Sequence, residues 1–189
     1  MLRKLITISG ALLLLSSVAG AQPPDTAVEN GRKDLQVLKD VAQAVDRYTQ
    51  FTIFDDVNAG VKDGSVTLTG KVTMPYKRDE IEKRVLKVDG VHAVANQITV
   101  LPVSSFDDEL RYRIARSIYR NSNFWNYAIM PNPPIHIVVE HGHVTLTGVV
   151  QSNVDRVLAR SLATQFGALS VTSDLKTDAE VQATLEKSE

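Results

Sequence analysis

No cysteine occurs anywhere in the 189 residues. Disulfides and thiolate chemistry are therefore excluded, and the folded parts must be held by core packing alone. Also missing are a strand–turn–helix nucleophile motif, a phosphate-cradling glycine loop and a zinc-protease signature. Neither sign of charge dominates: 21 Lys and Arg face 22 Asp and Glu, for a net charge of −1. The basic footprint expected of a nucleic-acid-binding protein is absent. What remains, 43% hydrophobic and 23% charged residues, is ordinary globular composition.

The one long apolar run is at the start. Arg3 and Lys4 precede the uncharged stretch from Leu5 to Leu15, and Ala19-Gly20-Ala21 places small residues ahead of Gln22. This is the pattern of a secretory signal peptide over residues 1–21, cleaved after Ala21. The run is too short for a spanning helix, which needs about 20 apolar residues. Loss of Arg3 and Lys4 takes the net charge from −1 to −3. Gln22 stands where a lipoprotein would carry its acylated cysteine, so the expected product is periplasmic and at most peripheral to a membrane.

The remainder repeats itself. Asp63-Gly64-Ser65-Val66-Thr67-Leu68-Thr69-Gly70-Lys71-Val72 matches His141-Gly142-His143-Val144-Thr145-Leu146-Thr147-Gly148-Val149-Val150 at seven of ten positions. Asp63-Gly64 and His141-Gly142 each separate two strand-like runs, Val57–Val61 from Val66–Val72 and Ile135–Val139 from Val144–Val150. Such dipeptides close hairpins because glycine tolerates positive φ. Gly70 and Gly148 interrupt the second strands and are read as bulges.

Each hairpin is preceded by a helical apolar pattern: Leu35, Leu38, Val41, Ala42 and Val45 in one copy, Leu110, Ile114 and Ile118 in the other. Asp34 and Asp107 are read as N-caps. A second helix follows, with Ile81, Val85 and Leu86 as the inner face of one copy and Val154, Val157, Leu158, Ser161 and Leu162 of the other. Gly90 and Gly167 stop these helices. Closing strands run over Val91–Val100 and Ala168–Leu175.

The predicted fold class is α+β: two tandem α-β-β-α-β units, each a small three-stranded mixed sheet with two helices on one face. The units occupy residues 33–101 and 106–177, joined by a linker at 102–105. Tails are assigned to 22–32 and 178–189.

Asp63-Gly64-x-Val66-x-Leu68-x-Gly70, a helix, then Gly90-Val91-x-x-Val94-x-Asn96 resembles a BON domain, the family named for bacterial osmotically induced and nodulation proteins. His141-Gly142-x-Val144-x-Leu146-x-Gly148 with Gly167-x-x-x-Val171 is a looser second match. The resemblance spans nearly all of the chain after Ala21. It implies a periplasmic or membrane-facing protein that binds phospholipid or supports the envelope under osmotic or other stress, with no catalytic residues to carry over. The second copy departs in having Ala168 after Gly167 and in Pro131-Asn132-Pro133-Pro134 before its hairpin.

Candidate chemistry is sparse. His136, His141 and His143 lie near one hairpin, but alternation along a strand sends neighbours to opposite faces, and only Glu140 stands beside them. Polar residues on a solvent-facing hairpin explain them better than a metal. Asp55-Asp56 and Asp107-Asp108 read as turns and caps rather than as a catalytic pair. No enzyme activity, cofactor or small-molecule substrate is expected.

One stripe stands out. With Leu110, Ile114 and Ile118 turned to the core, Arg113, Arg116 and Arg120 fall on the opposite flank beside Tyr112 and Tyr119. Trp125 and Tyr127 follow shortly after. Arginines bind phosphate bidentately and aromatic residues favour the headgroup zone, so this is the expected anionic-phospholipid surface. The competing interpretation makes the arginines a solvated face and sends Phe124 and Trp125 inward. In the first copy, Lys77, Arg78, Lys83, Arg84 and Lys87 alternate with Asp79, Glu80 and Glu82, as on a salt-bridged solvated face. The leading expectation is thus a non-enzymatic envelope protein binding lipid weakly through its second domain. The rival is a stress chaperone or protein-binding adaptor without lipid contact.

Overall fold

The computed structural model describes residues 26–186; the signal-peptide assignment lies outside them. The order is α1 (Thr26–Asp46), β1 (Asp56–Lys62), β2 (Ser65–Val72), α2 (Pro75–Val85) and β3 (Ala93–Val100), then α3 (Ser105–Tyr119), α4 (Trp125–Ala128), β4 (Ile135–Glu140), β5 (His143–Val150), α5 (Asn153–Ala163), β6 (Ser170–Ser173), β7 (Lys176–Thr177) and α6 (Asp178–Glu186). The tandem α+β units are therefore present. Each has an antiparallel hairpin whose second strand also pairs in parallel with the closing strand, β1-β2-β3 and β4-β5-β6.

The repeat fixes the register. Val61 pairs with Val66 and Val139 with Val144, so the two hairpins close identically. In both turns the two central residues have positive φ: Asp63 at 48° and Gly64 at 71°, His141 at 52° and Gly142 at 78°. That is the type I′ geometry whose twist matches antiparallel strands.

The ladder runs unbroken through Gly70, opposite Val57, and Gly148 pairs with Ile135, so neither glycine marks a bulge. They are required for another reason. A Cβ at Gly70 would lie 2.1 Å from the Asp56 carbonyl oxygen, and one at Gly148 1.8 Å from that of Pro134. Gly90 and Gly167 also sit at positive φ, beyond α2 and α5.

Alternation along the strands gives each sheet one buried face. Val66, Leu68 and Val72 of β2 are inside with Val41, Val45, Ile81 and Val85 from the helices, while Ser65 and Thr69 are outside. Leu110, Ile114 and Ile118 form the second core with Ile135, Ile137, Leu146 and Phe124.

Several helix faces are rotated from expectation. Val37 rather than Leu38 heads the α1 stripe, and Ala42 is exposed. Leu86 caps α2 and is exposed. In α5 the buried residues are Ala159 and Ala163, and Val154 and Val157 are in solvent. Small residues let α5 approach the sheet closely, which turns the bulkier valines outward. Lys77, expected on a solvated face, is buried against Asp55.

The described parts of the assigned tails are helical. α1 begins at Thr26, inside the segment assigned as a tail. The second closing strand is split: β6 ends at Ser173, Asp174 N–H donates to Leu146 at 2.8 Å, and β7 resumes pairing with Val149 and Val150. Thr177 and Glu180 then form a reciprocal capping box, with Thr177 N–H to the Glu180 carboxylate at 2.8 Å and Glu180 N–H to Thr177 Oγ1 at 3.3 Å. It starts α6, which Arg156 ties to α5 through Glu180 at 2.9 Å.

Candidate functional site

α3 starts because the Ser104 hydroxyl accepts the Asp107 N–H at 3.2 Å and Asp107 and Asp108 suit the positive helix end. Asp107 is therefore not the cap. Its carboxylate, fully buried, accepts the N–H groups of His141 at 2.9 Å and Gly142 at 2.8 Å. Asp34, inside α1, does the same to Asp63 at 2.8 Å and Gly64 at 3.1 Å. Both first helices thus clamp their own hairpin turn.

Because Leu110, Ile114 and Ile118 face the core, Arg113, Arg116 and Arg120 are left outside and exposed. Arg113 pairs with Glu109 one turn earlier, itself exposed. Tyr112 is 62% exposed, its ring edge-on to Phe54 at 5.2 Å. Trp125, at the start of α4, is 65% exposed, whereas Phe124 is completely buried.

Tyr119 and Tyr127 depart from the expected surface set. The Tyr119 hydroxyl donates to the Ile135 carbonyl at 2.6 Å and accepts its N–H at 3.2 Å. Burial pushes its pKa well above the usual phenol value. Tyr127 is 3% exposed, its hydroxyl donating to Asp155 at 3.0 Å and accepting Gln151 N–H at 2.7 Å. Burial, helped by the neighbouring Asp155 charge, raises its pKa as well. These rings are large apolar bodies with one polar tip, and the core supplies partners for that tip. The surface that remains is Arg113, Arg116, Arg120, Tyr112 and Trp125.

Sequence reasoning missed Arg111, which is buried, bonded to Val139 O at 2.5 Å and paired with Asp108. It holds α3 against β4 and is no part of the outer face. Nothing but its angular position between Leu110 and Ile114 signals this.

The two units meet through the loop before β1. Ile53 O accepts Ile137 N–H at 2.7 Å, and Thr147 donates to Asp56 at 2.9 Å. His136 Nδ1 lies 2.6 Å from Asp55 O; a carbonyl only accepts, so Nδ1 carries the proton. The Asp55 side chain, fully buried, accepts from Thr52 N–H at 2.8 Å, Thr73 N–H at 2.8 Å and Lys77 Nζ at 2.6 Å. Burial alone would raise its pKa; the bonds from Lys77, Thr73 and Thr52 outweigh that and hold it below the usual value. Asp55-Asp56 thus serves the contact between the units through the Asp55 carbonyl and the Asp56 carboxylate, while the Asp55 carboxylate is spent within the first unit.

The histidines are dispersed: His136 at the domain contact, His141 in the turn, and His143 with Nδ1 2.7 Å from the Ser170 hydroxyl. Among the described residues no cluster of three or more histidines and carboxylates could hold a metal. No described helix is long and apolar enough to cross a membrane.

The sequence profile of the BON domain matches residues 34–102 and 107–179. No curated protein matches the chain. Among solved structures, it is similar to CdsD, a structural protein of the type III secretion system of Chlamydia trachomatis, at 12% identity and a TM-score of 0.29, covering 80% of this chain and 97% of that one. A second structure, the C-terminal domain of CdsD, gives 16% identity and a TM-score of 0.33 over 78% of this chain and 69% of that one.

Proposed function

Since this chain belongs to the BON-domain family, which it contains twice, we propose that it is a non-enzymatic envelope protein that binds anionic phospholipid surfaces weakly through the outer face of α3. BON domains are associated with periplasmic and envelope proteins and are generally non-catalytic. The observation that carries the proposal is the outward row Arg113, Arg116 and Arg120, with an exposed Trp125 following in the chain. Each basic residue close to an anionic membrane contributes about 1 kcal/mol. Three of them, one shared with Glu109, give reversible, salt-sensitive attachment.

Co-sedimentation of residues 22–189 with vesicles tests this. Binding is expected to vesicles rich in phosphatidylglycerol, to fall with added salt, and to vanish in the triple variant Arg113→Glu, Arg116→Glu, Arg120→Glu with the melting temperature nearly unchanged. Charge reversal at Lys83 on α2 and at Lys87 just beyond it should matter less. Equal binding by the triple variant and its parent overturns the proposal. The adaptor reading would then gain from the exposed Val154 and Val157 on α5, and suppression of client aggregation without lipid would support it.

A further inference from the structure

A cleft of about 520 Å³ lies between the two units, away from the outer face of α3. One wall is α1, with Val41, Ala42 and Val45; Val181 of α6 contributes opposite. Its other boundaries are strands. Four consecutive residues of β1, Asp56 to Ala59, line it, as do three of β5, Thr147 to Val149. Side chains alternate between faces along a strand, so consecutive lining residues mean that the cleft runs along strand edges.

The β1 edge is free there, and the β5 edge becomes free at Val149. Among the described residues β1 pairs with β2 alone. β5 loses its β4 neighbour beyond the pair Ile135–Gly148, while its other side continues to Lys176 and Thr177. Unpaired backbone N–H and C=O groups on such edges are a template for another strand. Four residues of β1 offer about 13 Å of it, at roughly 3.3 Å per residue.

The charge of the lining is one-sided. Asp46, Asp56 and Asp174 contribute three carboxylates against the single ammonium of Lys176. Burial raises the pKa of Asp46, an effect that His136 partly offsets. A partly desolvated carboxylate gains most from a cation brought to it.

We infer that this cleft captures an extended peptide segment by strand addition to the edge of β1, selecting alternating aliphatic side chains with a basic residue beside them. Main-chain hydrogen bonds would supply affinity, and the α1 wall with the carboxylates would supply selectivity. The cleft is independent of the lipid-facing arginines.

The probe is a fluorescein-labelled peptide of alternating valine and threonine flanked by lysines, followed by anisotropy with residues 22–189. Saturable binding is expected, with slowed hydrogen exchange at the outward amides of Val57 and Ala59. Ala42→Trp, an exposed position on the cleft wall, should weaken binding at least tenfold while the melting curve and vesicle binding stay as in the parent. If Ala42→Trp unfolds the chain, Ala42→Leu with the same readouts decides. Absence of saturation, unchanged affinity in the folded wall variant, or unprotected β1 amides would overturn the inference. So would competition for the cleft by monomeric lysophosphatidylcholine without amide protection, which would assign it to an acyl chain instead.

Discussion

The Asp107 carboxylate holds the Gly142 N–H at 2.8 Å from a buried position, so the start of the helix and the tip of the hairpin are one unit. Asp34 and Gly64 repeat the relationship at 3.1 Å with a less buried carboxylate.

Asp107→Ala should therefore cost more than Asp34→Ala. Hydrogen bonds to charged groups contribute about 1.5–3 kcal/mol each, and two turn N–H groups lose theirs in either variant. We expect a loss of roughly 3 kcal/mol for Asp107→Ala and about half of that for Asp34→Ala, by urea denaturation. Equal losses would mean that burial of the carboxylate is immaterial.

Gly148→Ala should destabilise by about 3 kcal/mol or more, since φ is 113° and the new methyl would meet Pro134 O. Gly60→Ala is the control, because nothing lies within 4 Å of the added Cβ. It should be neutral or gain up to about 1 kcal/mol from a stiffer unfolded chain. Calorimetry of the two variants side by side checks the difference.

Acid should loosen the loop before β1, which the Asp55 carboxylate ties to Thr73 and Lys77. Asp55 has a folded pKa below its usual 3.8, so its contribution to stability is complete above about pH 4 and is lost as pH falls through the lower, folded value. Asp55→Asn removes that dependence and leaves Lys77 buried without its counter-charge. Breaking one side of such a pair costs about 3–5 kcal/mol. A pH series of melting temperatures in which parent and variant run parallel below pH 4 would refute this role.

Tyr119→Phe and Trp125→Ser should separate folding from attachment. The first removes a buried hydroxyl bonded to Ile135 and should lower stability by about 1 kcal/mol or more, with vesicle binding intact. The second should leave the melting temperature within about a degree and reduce vesicle binding several-fold. The opposite pairing of effects would make Trp125 structural.

The repeated Val-Thr-Leu-Thr-Gly made the hairpins, their register and the tandem plan readable, because period-two alternation and positive-φ turn residues act locally. The roles of Asp34 and Asp107 were not readable. An aspartate at a helix start is a cap by local rules, and only tertiary approach offers it a turn 29 or 34 residues away. Tyr119 and Tyr127 looked like interface aromatics for the same reason: amphipathic rings suit a membrane surface and a core with waiting acceptors alike. The α5 face was right at Leu158 and Leu162, which pack against the core, and misjudged at Val154 and Val157 because valine outranks alanine in hydrophobicity, whereas close helix–sheet packing selects the smaller side chain. Thr177-Asp178-Ala179-Glu180 carried the capping-box spacing openly and would have revealed α6. The outward arginines were legible only by subtraction, as what three buried aliphatics leave outside.

The bond between Ile53 and Ile137 has a consequence in time. A chain emerging from its N-terminal end completes the first unit long before β4 exists. Until β4 arrives, the Ile53 and Asp55 carbonyls stay open to water, and Phe51 and Phe54 lack the His136 and Tyr112 rings that later cover them. The half-made protein thus passes through an interval of adhesiveness that lasts from the completion of β3 to the arrival of β4, and a partner that shields this loop during that interval would raise the yield of folded chain without any effect on the finished molecule.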